Sequence, residues 1–225
     1  MSANKGLYPR WAWALTGSGH FFTESIALIK SLDAVDLFVS KAADEVLRMY
    51  KQELPEGTRI FKETTASSAP VGRFYEGLYH TLVVSPASSN TVAKAVFGIS
   101  DTLVTNCFAQ AGKCRVHAIV FACDTAPEMI TMAPKGPVPV YPRRIDLENT
   151  AKLKEFDDTT VVESIEDLEE AIAARRRLVP AHDQFQRHDG TLGRGRDFRA
   201  PAPVDDGMRQ HEQEVGDPDR TARRV

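Results

Sequence analysis

Little in this chain points to disulfide, metal or membrane chemistry. Three cysteines, Cys107, Cys114 and Cys123, stand among 225 residues, and no two of them form a CxxC pair. Such a set makes no even disulfide framework, and the thiols are expected to stay reduced in a cytoplasmic protein. An iron–sulfur cluster needs about four thiolates, so one chain is expected to hold none, and no other metal site is expected. No apolar run approaches the ~18 residues of a membrane helix, and Met1 to Arg10 lacks the charged-then-apolar pattern of an export signal. A net charge of −3 gives no general attraction to nucleic acid or to an anionic membrane. No internal repeat is present.

What the chain does have is a core of ordinary composition, 42% hydrophobic and 26% charged. That fits one domain plus spare length. The domain is expected over residues 1–180. Residues 181–225 hold 8 Arg against 9 Asp and Glu. With few apolar side chains to offset ordering entropy, they are expected to form a polar, flexible tail.

Within the domain, short apolar runs alternate with amphipathic stretches. Trp11 to Thr16 reads as a strand buried on both faces. Gly17-Ser18-Gly19 breaks the chain, and Phe21 to Leu32 reads as a helix with Phe22, Ile26 and Ile29 at helical spacing. Val35–Val39 is a second strand, followed by a helix from Ser40 to about Tyr50. A short strand is expected at Thr58–Phe61, and another from His80 to Ser85 that ends at Pro86. Ser89 to Phe97 begins a helix, and Val116 to Ala122 is a strand. A Pro-rich connection covers 127–142. Leu147 to Phe156, Thr160 to Val162 and Glu166 to Arg177 finish as helix, strand and helix. The alternation predicts a Rossmann-like, doubly wound α/β fold, a parallel sheet with helices on both faces.

Two stretches carry chemistry. At the turn after Thr16, glycines let backbone approach an anion, the first N–H groups of the helix are free, and Ser18 adds a hydroxyl. A phosphate suits that corner, although a tight βα turn needs similar residues and the third glycine of the dinucleotide pattern is missing. The stretch Ser85 to Thr91 places hydroxyl and amide side chains after a buried strand, at the end of the sheet where open α/β folds bind ligands. A helix N-cap needs one of Ser88 or Ser89. A run of four such residues points to hydrogen bonding with something else.

Single residues divide similarly. His20 beside the turn either protonates a substrate nitrogen, completes the anion site or is exposed to solvent at the helix start. Asp101 is expected to cap a helix or pair with a Lys, and Lys94 to face solvent or a subunit boundary. Of Trp11 and Trp13, one is expected in the core and the other against a neighbour. Cys107 is expected to be structural.

TGSG after the first strand, VSKAA after the second and PASSNTVAKAVFGISDTLVTN together resemble the superfamily of homo-oligomeric flavin-containing cysteine decarboxylases and flavin prenyltransferases, over roughly residues 10–175. The resemblance implies FMN as cofactor. Gly17, Ser18, Gly19 and Ser40 would hold its phosphate and ribityl chain, and Ala87, Ser88, Ser89, Asn90 and Thr91 would line the ring. The decarboxylases' Pro-x-Met-Asn motif is not matched, since Ile130 follows Met129. Their catalytic His has no secure counterpart, because His80 lies too near the strand. Asn106 stands in the flavin site where prenyltransferases carry an Arg for a prenyl phosphate. The remaining likeness, including Gln110 to Lys113 and Val140 to Leu147, is to acceptor-dependent dihydromethanopterin reductases and archaeal-type electron-transfer flavoproteins. It implies reduction of a dihydropterin by FMN, an unidentified electron donor and a trimer-based homo-oligomer. The rival readings are a pure electron carrier, a decarboxylase or prenyltransferase, and a flavin storage protein.

Overall fold

The computed structural model describes residues 10–64, 68–133 and 135–179, so the tail expected over 181–225 lies outside the described residues. The first half of the chain runs β1 (Arg10–Leu15), α1 (Phe22–Lys30), β2 (Val35–Val39), α2 (Lys41–Met49), β3 (Arg59–Lys62), α3 (Ser68–Val71) and β4 (Tyr79–Ala87). The second half runs α4 (Ser89–Val96), α5 (Leu103–Lys113), β5 (His117–Ala122), β6 (Met129–Ala133), β7 (Gly136–Val140), α6 (Arg144–Leu153), β8 (Thr159–Val162) and α7 (Ile165–Leu178).

Six strands form one parallel sheet in the order β3-β2-β1-β4-β5-β8. This is the predicted doubly wound architecture. Its cause is visible in the strands: β2 is buried at all five positions, as a strand covered on both faces must be. One face carries Trp11, Trp13 and Leu15 against Phe22, Ile26 and Ile29 of α1, with Leu168 and Ile172 of α7 beyond. The other carries Ala12 and Ala14, whose small side chains leave room for Phe38, Phe74 and Tyr79, packed with Val104 and Cys107 of α5. Cys107 is fully buried, and that desolvation pushes its thiol well above the usual range, in keeping with a structural role.

Several expectations need correcting. Trp11 and Trp13 are two residues apart and therefore share a face; both sit in the same core cluster, 6% and 0% exposed. β4 does not stop at Pro86 but runs to Ala87, which pairs with Ala122 of β5 across a register shift between Val84 and Ala87. A residue without an N–H is tolerated at such an irregular position. The connection over 127–142 contains the antiparallel hairpin β6–β7. Pro137 and Pro139 fit in β7 because a two-stranded ribbon leaves one edge of each strand unpaired. Helix α5 adds an element that no apolar periodicity had announced; Thr102 and Thr105 cap it reciprocally. Helix α6 starts at Arg144, three residues early, because the Asp146 carboxylate accepts the Arg143 N–H at 2.9 Å.

At the amino ends of the strands lies a buried carboxylate, Asp36. It accepts from Arg10 Nε at 2.8 Å, Tyr79 OH at 2.9 Å and Arg59 at 3.4 Å. That network leaves the opposite, carboxyl end of the sheet as the open one.

Candidate functional site

The strand order reverses between β1 and β4, and the crevice at this switch point is where an open α/β sheet binds a ligand. Three of the stretches singled out in the sequence meet there. Thr16, buried at the end of β1, joins two of them: its Oγ1 donates to the Pro86 carbonyl at 2.7 Å and accepts the Ser88 N–H at 3.1 Å. The third arrives through Ser40, whose N–H donates to the Leu15 carbonyl at 3.2 Å. Thr16 was not among the residues expected to matter, and an isolated threonine ending a strand carries no signal of such a role.

The turn itself leaves its own donors unused by the backbone. None of the N–H groups of Gly17, Ser18 and Gly19 donates to a backbone carbonyl among the described residues. Helix α1 begins after Phe21 with no side-chain cap, whereas Ser40 caps α2, Ser88 caps α4 and Ser164 caps α7. Its first turn therefore has no side-chain cap, and the positive end of its dipole lies beside the turn that follows β1. Phe21 stands at φ 57°, a left-handed conformation that a bulky residue adopts only under constraint. The glycines are fixed by packing as well. A Cβ on Gly17 would lie 2.4 Å from that of Ala42, and one on Gly19 would lie 2.4 Å from the Tyr50 hydroxyl. Tyr50 in turn donates to the Met132 carbonyl at 2.7 Å, which ties the β6–β7 hairpin to the turn.

The second stretch divides its labour. Ser88 Oγ accepts the Thr91 N–H and pairs with Thr91 Oγ1 at 3.1 Å, so these two serve as the cap. Ser89 is half-buried and Asn90 exposed on the first turn of α4, and Ala87 is buried beneath them. Asn106 is half-buried on the first turns of α5. That helix start belongs to the same end of the sheet through Glu63, which follows β3. Glu63 accepts the N–H of Lys41 at 3.0 Å and that of Leu103 at 2.7 Å, so one carboxylate serves two helix starts. Partners 22 and 40 residues away left no local trace in the sequence.

His20 is half-buried rather than solvent-exposed, tilted against Phe21 at 3.8 Å between centroids. Burial lowers its pKa below the ordinary value, with Asp124 and then Glu24 pulling the other way. Its Nε2 is shut off from solvent with no partner among the described residues. A buried polar atom left so costs ~1–3 kcal/mol, which makes it a sign of a ligand contact. The Cys123 thiol, pushed up to about 12 by burial, bonds to Ser18 and contacts the His20 carbonyl at 3.9 Å. Lys94 and Asp101 pair at 2.8 Å, one of the two roles expected of Asp101. Among the described residues, no group of His, Cys, Asp and Glu is placed to hold a metal, and no helix is long and apolar enough to cross a membrane.

An uncapped helix start, free turn amides and an orphaned imidazole suit a flat, phosphate-bearing cofactor. Comparison with known proteins agrees. The family model described as Flavoprotein matches residues 2–179. A dihydromethanopterin reductase (acceptor) from Methanosarcina mazei is 41% identical over 143 residues, 56% of this chain and 60% of the relative. The chain thus spans less than two thirds of that relative's length. The FMN complex of DmrB from Burkholderia xenovorans, a cubic protein cage for redox transfer, superposes with a TM-score of 0.70. It is 49% identical, over 76% of this chain and 96% of that one. Phenylacrylic acid decarboxylase from Aquifex aeolicus has a TM-score of 0.55 at 22% identity, over 77% and 97% of the two chains, which speaks for the fold alone.

Proposed function

The chain belongs to the flavoprotein family, and from that premise we propose that it is an FMN-dependent reductase that converts a dihydropterin, of the dihydromethanopterin type, to the tetrahydropterin. The carrying observation is the coincidence of a built anion turn at the β1–β4 switch point with 49% identity to an FMN-bound redox cage and 41% identity to a dihydromethanopterin reductase.

Gly17, Ser18, Gly19 and the start of α1 hold the FMN phosphate, with Ser40 alongside. Ala87 gives a flat apolar floor, and Ser88, Ser89, Asn90 and Thr91 meet the polar edge of the ring, with Asn106 beyond. FMN supplies the hydride; the chain supplies position, a dry floor and hydrogen bonds. No Asn follows Met129, where a decarboxylase of this superfamily would carry one. Ile130 and Tyr141, on and beside the hairpin, are 69% and 67% exposed, an apolar surface that suits assembly into a trimer-based homo-oligomer. Such a reductase works in the cytoplasm, with a separate redox partner as its electron donor.

Purified protein is expected to be yellow, with about one FMN per chain. Anaerobically reduced protein is expected to be reoxidised by dihydromethanopterin or an analogue, with tetrahydropterin formed. Reoxidation by small redox proteins but never by a pterin would assign it to the electron carriers. Carbon dioxide released from a cysteine-ended peptide would assign it to the decarboxylases.

A further inference from the structure

Three histidines fall among the described residues, and they divide by the end of the sheet they occupy. His80 and His117 lie at the amino ends of β4 and β5, bonded to Thr81 at 2.8 Å and Thr160 at 2.9 Å. His20 alone of the three lies at the carboxyl end, in the turn that follows β1, and its buried Nε2 meets no protein partner. Phe21 packs on the ring, and Phe121 of β5 lies 4.8 Å behind Phe21. The charged groups that face it are Glu24, four residues along α1, and Asp124, just past β5. Neither is hydrogen-bonded to the ring, and the Cys123 thiol is engaged with Ser18 and the His20 carbonyl.

We propose that His20 is the general acid of the flavin site, its Nε2 contacting the bound flavin–pterin pair and giving a proton to the pterin nitrogen. The proposal rests on the reductase reading above. As hydride from reduced FMN adds to the carbon of the pterin C=N bond, that bond's π pair moves to nitrogen. The Nε2–H bond breaks, a new N–H bond forms on the pterin, and the imidazolium becomes imidazole. FMN ends oxidised, and water admitted as the tetrahydropterin leaves returns the proton to His20 before the next turnover. The other ionisable groups nearby suit this task less well. The Cys123 thiol is held too high to release a proton at neutral pH, and the two carboxylates act on the imidazole through space. In the free chain burial lowers the His20 pKa. The anionic cofactor adds negative charge and an acceptor at the same turn, and both raise the pKa toward the working pH, where a general acid is most effective.

The test uses the FMN-loaded protein with His20→Gln and His20→Asn. After anaerobic chemical reduction, the variants should be reoxidised by a dihydropterin ~10²–10⁴-fold more slowly than the wild type. Ferricyanide takes single electrons and needs no proton from the protein, so it should reoxidise all three alike. Equal rates with dihydropterin, or equal slowing with both oxidants, overturn the proposal. A second readout needs no turnover: binding takes up a proton at His20, so the FMN affinity of the wild type should gain on that of His20→Gln as pH falls from 8 toward 6, while the titration of the FMN phosphate acts on both alike. Parallel profiles show that His20 makes no such contact and overturn the proposal. If dihydropterin fails to reoxidise even the wild type, the reductase reading falls, and the affinity profiles alone decide the place of His20.

Discussion

Thr16→Val is the perturbation that most directly probes how the site is assembled. Valine matches threonine in shape, so the 2%-exposed position keeps its packing and loses only the hydroxyl. Two bonds go with it: the donation to Pro86 at 2.7 Å and the acceptance from Ser88 at 3.1 Å. The Pro86 carbonyl is buried, and stranding it costs ~1–3 kcal/mol; the half-buried Ser88 N–H adds about 0.5–1.5 kcal/mol. Together these give roughly 2–4 kcal/mol, or about 4–16 °C in melting temperature for a domain of this size. The ends of β1 and β4 also lose their link, so FMN affinity should fall with stability. Thermal unfolding with and without FMN, and flavin fluorescence on release, measure both effects. Thr16→Ser keeps the hydroxyl and should retain affinity. If Thr16→Val melts within about 2 °C of wild type and binds FMN equally well, Thr16 does not hold the crevice together.

Three further predictions rest on other parts of the molecule. Gly17→Ala forces a Cβ to 2.4 Å from Ala42, and the start of α2 must shift at about 1–3 kcal/mol; calorimetry and FMN titration should both register it, and an unchanged profile would remove the close approach. Asp36→Asn leaves Arg10 and Arg59 facing a neutral amide in place of a buried charge. Because both arginines reach solvent, the cost should be about 2–4 kcal/mol, read from the urea midpoint, with flavin binding unaffected at the far end of the sheet. His80 is depressed to about 4, by burial first and then by Arg175, against ~6.5 in the unfolded chain. The unfolded state therefore binds more protons between those values, and stability present above pH ~6.5 is lost as pH falls toward ~4. After allowance for partial exposure this amounts to about 2 kcal/mol. His80→Asn should flatten that limb of the denaturation profile, and a difference that stays constant with pH would refute the assignment.

The sheet and most helices were legible in the chain because their signals are local. Val35 to Val39, Asp36 excepted, and Ala118 to Ala122 are apolar without alternation, a pattern that suits a strand covered on both faces. Phe22, Ile26 and Ile29 share a helical face at any tertiary arrangement. The turn at Gly17 to Gly19 and the stretch from Ser85 to Thr91 stood out for the same reason, as runs of glycine and hydroxyl residues that end strands. What depended on pairing across the chain was not. Thr16 became a tie only when β4 settled beside β1, 70 residues on. Glu63 capped two helices that folding brought to it. The β6–β7 hairpin read as a Pro-rich loop, because strand propensity gives no credit for an unpaired ribbon edge where a missing N–H does no harm. The clearest case is His20. The sequence sets it beside a glycine turn, where solvent exposure was the ordinary expectation. Only the packing of Phe21, with Phe121 behind it, and the end of β5 turns an exposed imidazole into a half-buried one whose Nε2 is shut off from solvent. Burial of that kind is a sum over distant contacts, and no window of sequence contains it.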